Sequence, residues 1–312
     1  MTKKLKKKDT LQAIIKTLCY AEIFSYPLTS SEIWRYVISQ KRVSKSEIQK
    51  TLLKNKNVFQ ETDGYFTMSG RSNLVQVRQA RLIESRKKIV KALWISAILM
   101  YIPTIKLVGI SGSLSMYNAN KQDDIDLFFV TQKHTLWISR MCVALLLALL
   151  GEKRSRRSNL AVNKICPNMF LSESTLSLSK SNRNIYTAHE VAQLKVLYSR
   201  NNMYENFLQE NKWALQFLPN AFSVSKKTQH EKKISLSSIF LSPFDYVLFL
   251  AQYIYMKKGM KQEKISRNVA MFHPVKKDKA IASLLALKVK HRKHKKGQTA
   301  GQIARERTLL LN

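Results

Sequence analysis

The stretch from Leu107 to Val130 constrains this chain more than any other. It reads as an apolar strand (Leu107–Ile110), a Gly112-Ser113 turn, a short helix or loop, and a second strand (Ile125–Val130) that opens with Asp123-Asp124-Ile125-Asp126. Residues two apart in extended backbone project to one face, so the carboxylates of Asp124 and Asp126 leave the same side about 7 Å apart. Ile125 and Leu127 then point into a core. Two same-face carboxylates on an apolar strand repel one another and resist desolvation, so they add nothing to stability. A hard divalent cation removes that objection. Mg²⁺ is typically held by one or two carboxylates together with substrate phosphates, and paired ions clamp an in-line displacement at phosphorus. The competing reading is an ordinary strand–helix–strand unit whose acids sit at a solvated strand end.

Gly112 lets the backbone pass close to a ligand, and Ser113 offers a hydroxyl and an amide at a candidate helix N-terminus, a setting that suits phosphate oxygens. Apolar-Gly112-Ser113, then eleven positions to Asp124-apolar-Asp126-apolar, resembles the signature of the nucleotidyltransferase superfamily of the DNA polymerase β type. The resemblance covers about twenty residues directly. It implies that Gly112 and Ser113 hold the triphosphate of an NTP, with Lys164 as a candidate partner for it. It also implies that Asp124 and Asp126 bind Mg²⁺, one ion or two, and carry the catalysis. Members of this superfamily commonly place a third carboxylate on a following strand. Here that strand is read as Asn163–Leu171, and its same-face residues Lys164, Cys166 and Asn168 include no acid. Asn168 and Glu173 are the candidates for the third position, although an amide cannot take a proton.

A length of 312 residues suggests two or three small domains rather than one core. The expected fold is α+β: a winged-helix-like unit over residues 1–70, a connecting helix over 71–103, and a small mixed-sheet nucleotidyltransferase-like domain over 104–180 with covering helices. A helical region over 181–290 and a basic disordered tail over 291–312 complete it. In the first unit, Leu11, Ile14, Ile15, Leu18 and Cys19 recur at helical spacing, Thr29-Ser30 caps a second helix, and Ser44 with Glu47 forms a capping box for a third, Lys45–Asn55. Asp63-Gly64 marks a hairpin. The third helix would present Lys45, Gln49, Lys50 and Lys54 to a nucleic acid groove, or simply to water. Along 71–102 the apolar stripe leaves Arg71, Arg78, Arg81, Arg86, Lys87, Lys88 and Lys91 as a basic face.

Net charge of +34 attracts polyanions such as nucleic acid, nucleotides or anionic lipid, although lysine is also spread along the whole chain. Three widely spaced cysteines, Cys19, Cys142 and Cys166, read as reduced core residues of a cytoplasmic protein. The lysine-rich start has no secretory h-region. The runs Met141–Leu150 and Val247–Met256 are too short to span a bilayer and read as buried helices. Helices are also expected over Ile185–Tyr198, Tyr204–Phe217 and Asp278–Lys290. His189-Glu190, with no second histidine four residues on, reads as a packed or solvated pair, and Trp213, Tyr253 and Tyr255 read as core. Ser223–Ser238 reads as a linker.

The leading expectation is therefore a Mg²⁺-dependent nucleotidyltransferase moving an NMP to a hydroxyl on RNA, a protein or a small molecule. The alternative is a weakly active or inactive nucleotidyltransferase-like DNA-binding regulator, or an antitoxin-like module.

Overall fold

Residues 7–154, 162–224, 236–257, 260, 263–272 and 277–293 are described by a computed structural model, a mixed α/β chain. Helix α1 (Lys7–Ile23) buries Ile14, Leu18 and Cys19, and left-handed Ser25 (φ 53°) turns the chain toward the short strand β1 (Leu28–Thr29). A reciprocal capping box starts α2 (Ser30–Arg35): the Thr29 hydroxyl accepts from Glu32 N–H, and the Glu32 carboxylate accepts from Thr29 N–H. Ser44 caps α3 (Lys45–Lys54), but the expected return half of that box is missing. Glu47 instead accepts from the Thr10 hydroxyl at 2.7 Å, which ties α3 to α1. Strands β2 (Phe59–Thr62) and β3 (Tyr65–Met68) form the hairpin at Asp63-Gly64, both in left-handed backbone, and β1 pairs with β3. These elements close on a core of their own that includes Ile14, Ile33, Ile48, Leu52 and Phe59.

The long helix α4 (Asn73–Leu99) leads into a six-stranded sheet. Its strands are β4 (Ile105–Ile110), β5 (Ile125–Thr131), β6 (Ile165–Ser172), β7 (Lys195–Ser199), β8 (Lys264–Ser266) and β9 (Val269–Met271), in the order β7-β4-β5-β6-β9-β8. Between β4 and β5 lies a single helical turn, α5 (Gly112–Ser115). Among the described strands only β5 and β6 pair in parallel, with α6 (Leu136–Leu149) in the crossover between them. One sheet face carries Val108, Leu127, Phe129 and Phe170 and is covered by α4, α6 and α9 (Leu236–Lys257). The other carries Leu107, Phe128, Val130 and Leu171 and is covered by α7 (Ile185–Gln193), α8 (Met203–Glu210), α10 (Lys277–Lys293) and α1.

Four expectations are corrected. The region over 181–290 is not purely helical: Lys195–Ser199 leaves the expected Ile185–Tyr198 helix to become an edge strand on β4, and β8–β9 form a hairpin beside β6. The expected Tyr204–Phe217 helix divides into α8 and a 3₁₀ turn over Lys212–Gln216. Residues 291–293 belong to α10, whose Lys288 and Arg292 reach Glu22 on α1 at 2.9 and 3.7 Å. The remainder of the expected tail, and most of the Ser223–Ser238 linker, lie outside the described residues. Finally, neither apolar run is a buried helix: Leu145 and Leu149 of Met141–Leu150 are exposed, and Val247–Met256 buries only Met256. The latter run is the second half of the 22-residue α9, and Val247, Leu250, Ile254 and Tyr255 face outward.

Candidate active site

The site is built where β4 and β5 release the chain. Ser111 N–H donates to the carbonyl of Asp126 at 3.0 Å, so the backbone leaves the sheet alongside that residue. Gly112 follows in left-handed backbone (φ 65°), and a Cβ there would come within 3.3 Å of Asp126 Oδ2. Glycine thus lets the main chain rest directly against a carboxylate.

Asp124 and Asp126 converge as their two-residue spacing predicts. One carboxylate oxygen from each and the Sγ of Cys166 all lie within 4.8 Å of one another. Cys166 joins them because the parallel register sets it opposite Asp126. The expectation that it is a core residue is corrected: it is half-buried at the site, whereas Cys19 is buried in the α1 core. Arg154, just after α6, places Nη1 2.5 Å from Asp124 Oδ2 and 3.9 Å from Cys166 Sγ. Burial and the neighbouring Asp126 charge push the Asp124 carboxyl up, and the Arg154 guanidinium opposes them. Burial, followed by the Asp126 and Asp124 charges, pushes the Cys166 thiol up to about 12, so it stays protonated at neutral pH.

Asp123 has a different task from its two neighbours. Its Oδ2 accepts from Asn120 N–H at 2.8 Å and from the Ser113 hydroxyl at 3.4 Å, which closes the loop between Gly112 and Asp124. Helix α4 holds that loop from behind. Lys88, only 2 % exposed, donates through Nζ to the carbonyls of Lys121 and Asp123 at 3.1 and 2.6 Å and to Asn163 Oδ1 at 2.5 Å. Ser85 Oγ accepts from Ala119 N–H, and Arg81 donates to the side chains of Asn118 and Asn120. A lysine read from the sequence as part of a basic face is the buried pin of the loop. Arg78 is likewise turned inward, paired through two nitrogens with Glu32 of α2.

No family model matches this chain, and no curated protein or solved structure matches it either.

The remaining candidates separate. Ser113 is at the site, exposed, with its hydroxyl on Asp123. Lys164 precedes β6 and donates to the Gly151 carbonyl at 2.7 Å. Asn168 is displaced from the expected face: the β5–β6 pairing skips from Leu127↔Pro167 to Phe128↔Met169, leaving Asn168 as the extra residue of a bulge, 3 % exposed. Glu173 lies past the far end of β6, where it accepts from Lys133 N–H while its own N–H donates to Thr131, so it is no third carboxylate for Asp124 and Asp126. The position facing Asp126 on β6 belongs to Cys166. His189 is packed, as its lone occurrence suggests: it is buried, stacks on Tyr20 at 3.9 Å, and places Nδ1 2.8 Å from the Ile185 carbonyl. Trp213 is core, whereas Tyr255 is 81 % exposed. On α3, Lys45, Gln49, Lys50 and Lys54 are exposed, and Lys45 Nζ sits over the Trp34 ring at 4.7 Å.

Arg154 and Cys166 are the site residues whose roles sequence reasoning missed. The signal for Cys166 was its two-residue offset from Lys164 on a strand parallel to β5. Arg154 gave none that sets it apart from the many other basic residues of the chain.

Proposed function

We propose that this chain is a Mg²⁺-dependent nucleotidyltransferase of the polymerase β type, with the N-terminal helices and small sheet forming a winged-helix-like unit. It would move an NMP from an NTP to a hydroxyl acceptor: the acceptor oxygen bonds to the α-phosphorus, the bond to pyrophosphate breaks, and the acceptor proton is released. The observation that carries this reading is the Gly112 bend seated on Asp126, with Asp124 beside it. A glycine bend beside exposed Ser113 and two oxygen donors on one face are the two halves such a reaction needs.

The donor set suits the ion in part. Asp124 and Asp126 offer the hard oxygens that Mg²⁺ takes, whereas a protonated thiol does not suit it, so Cys166 stands outside that shell. When bound, Mg²⁺ supplies charge neutralisation along the phosphates. The chain's own residues do the rest. Gly112 and Ser113 line the phosphate side, Lys88 and Asp123 fix the loop between the two motifs, and Arg154 brings a positive charge that can turn from Asp124 to a phosphate oxygen. Incubation with labelled NTPs, Mg²⁺ and cell-derived acceptors tests the proposal. The wild type should label an acceptor and the Asp124→Ala/Asp126→Ala variant should not; equal labelling by both removes the assignment.

A second reading has its own support. Strand β6 presents Cys166 where a third acid would stand, and Arg154 already neutralises Asp124, which together favour a nucleotidyltransferase-like regulator whose N-terminal unit contacts DNA. A protein that shifts a duplex with steep salt dependence, yet turns over no NTP, fits this reading and excludes the first.

A further inference from the structure

Helix α9 is apolar where a soluble helix should be polar. Ile239–Lys257 is long and apolar enough to cross a bilayer by length and composition, yet only 11 % of that window is buried. Phe240, Phe244, Val247 and Ile254 are 75, 67, 63 and 65 % exposed and recur at helical spacing along one outer face. The other helices on that side of the sheet add exposed apolar side chains of their own. Leu149 of α6 is 85 % exposed and Trp94 of α4 is 51 % exposed, on helices that cover the same face of the sheet. Soluble monomers rarely leave so much apolar surface to water without a use for it.

The inner face of α9 shows that the helix is a fixture of the fold. Asp245, its only acid, is fully buried, and its Oδ1 accepts from the N–H groups of Trp137 and Ile138 at 2.7 and 3.0 Å, capping α6. Gln252 donates to the Trp137 carbonyl at 2.9 Å, and Met256 is buried. A helix that crossed a bilayer alone would expose Asp245 and Gln252 to hydrocarbon, at a cost of several kcal/mol. This one is therefore built to lie on a surface. Basic groups border its apolar stripe. Arg267 donates to Ser242 Oγ at 2.8 Å and stands 5.4 Å from the Tyr246 ring, and exposed Lys257 closes the last turn.

Charge decides the occupant. A second copy would bring another +34 body against the first, and like charges oppose that approach. An anionic bilayer accepts both properties at once: apolar side chains enter the headgroup and acyl boundary while Lys and Arg stay at the phosphates. We propose that the outer face of α9, continued by Leu149 and Trp94, docks this protein flat on an anionic lipid bilayer. Asp124 and Asp126 project from the opposite face of the sheet, the one carrying Phe128 and Val130, so docking leaves that site open.

The full chain is sedimented with vesicles of phosphatidylcholine alone and of phosphatidylcholine mixed with phosphatidylglycerol. We expect binding to the mixed vesicles, weakened by salt, and little to the neutral ones. Phe244→Glu/Val247→Glu should lose at least about tenfold in vesicle affinity while the circular dichroism spectrum is unchanged, since two apolar side chains no longer enter the bilayer. In the wild type, brominated phosphatidylglycerol should quench tryptophan fluorescence, and Trp94→Phe should abolish most of that quenching without altering the fold. Wild type that stays in the supernatant overturns the proposal. So does a variant that sediments as well as wild type, or a concentration-dependent dimer that the double variant breaks while vesicle binding is absent.

Discussion

Lys88 Nζ lies 2.6 Å from the carbonyl oxygen of Asp123, so a cation on α4 fixes the backbone one residue before Asp124. Two further acceptors, the Lys121 carbonyl and Asn163 Oδ1, complete its three donors. Lys88→Met keeps the apolar stem and leaves those oxygens without their donor. The expected cost is about 3 kcal/mol of stability, with loss of whatever activity depends on Asp124. Chemical denaturation and the labelling assay read the two effects; unchanged stability means the lysine is not a pin.

On the proposed reading, Arg154 and a divalent cation would compete for Asp124. Removing the guanidinium with Arg154→Ala leaves the Asp124–Asp126 repulsion uncompensated, so the Asp124 carboxyl titrates higher than in wild type. At pH 7 and above the freed carboxylates should bind Mn²⁺ about tenfold more tightly, roughly 1.4 kcal/mol. Isothermal titration with Mn²⁺ measures this directly. Equal or weaker binding shows that Arg154 helps to hold the ion rather than displacing it.

Cys166 faces Asp126 across the parallel pair β5–β6. Cys166→Asp brings a third carboxylate to that position. In the absence of a divalent cation the added like charge should lower stability by about 1–2 kcal/mol. Saturating Mg²⁺ should return that loss and raise nucleotide turnover above wild type. A variant whose melting temperature ignores Mg²⁺ would argue that no ion is gathered there.

Gly112→Ala tests the bend. A left-handed alanine costs about 1 kcal/mol, and its Cβ would press on Asp126 Oδ2 at 3.3 Å. The expected result is a small stability loss with a much larger loss of divalent-ion and NTP affinity. A loss confined to stability would place the ligand elsewhere.

The pH dependence of stability should carry the mark of His189. Burial pulls its ring down to about 4 from an ordinary 6.5. Between those values the unfolded chain binds the proton and the folded one does not, so stability is complete above 6.5 and falls as pH drops toward 4. The size is about 3 kcal/mol for a shift of this order. His189→Gln should flatten that part of the melting-temperature profile. Glu32 acts lower: Arg78 and the Thr29 donors hold its carboxyl below 4.5 against the opposing effect of burial, so its contribution is present above 4.5 and is lost as pH falls through the lowered value.

Local signals were legible wherever the physics is local. The Thr29–Glu32 cap, the Asp63-Gly64 hairpin and the shared face of Asp124 and Asp126 each depend on residues within four positions of one another. What stayed hidden depends on partners distant in sequence. Lys195–Ser199 follows α7 without a strong break, and only its pairing with β4 makes it a strand. The bulge at Asn168 changes which residues of β6 share a face, and strand periodicity alone does not reveal a bulge. Lys88 resembles the exposed lysines around it until the loop carbonyls close over it. Apolar composition makes the second half of α9 read as interior, although Val247, Leu250 and Ile254 have no partner element among the described residues.

The far end of the described chain also completes its beginning. Ile281, Leu284 and Leu285 of α10 enter the same core as Cys19, Tyr20 and Ile23 of α1. Lys288, Arg292 and Arg71 gather on Glu22, whose side chain is only 8 % exposed. During synthesis, then, α1 is made long before α10, and its second face stays open until α10 follows. The N-terminal unit can assemble early around Ile14 and Ile33, but Glu22 receives two of its three cations only when residues 288 and 292 leave the ribosome. Chains halted before that point carry an unmatched acid and an open apolar face, the features by which quality control distinguishes an unfinished product from a finished one.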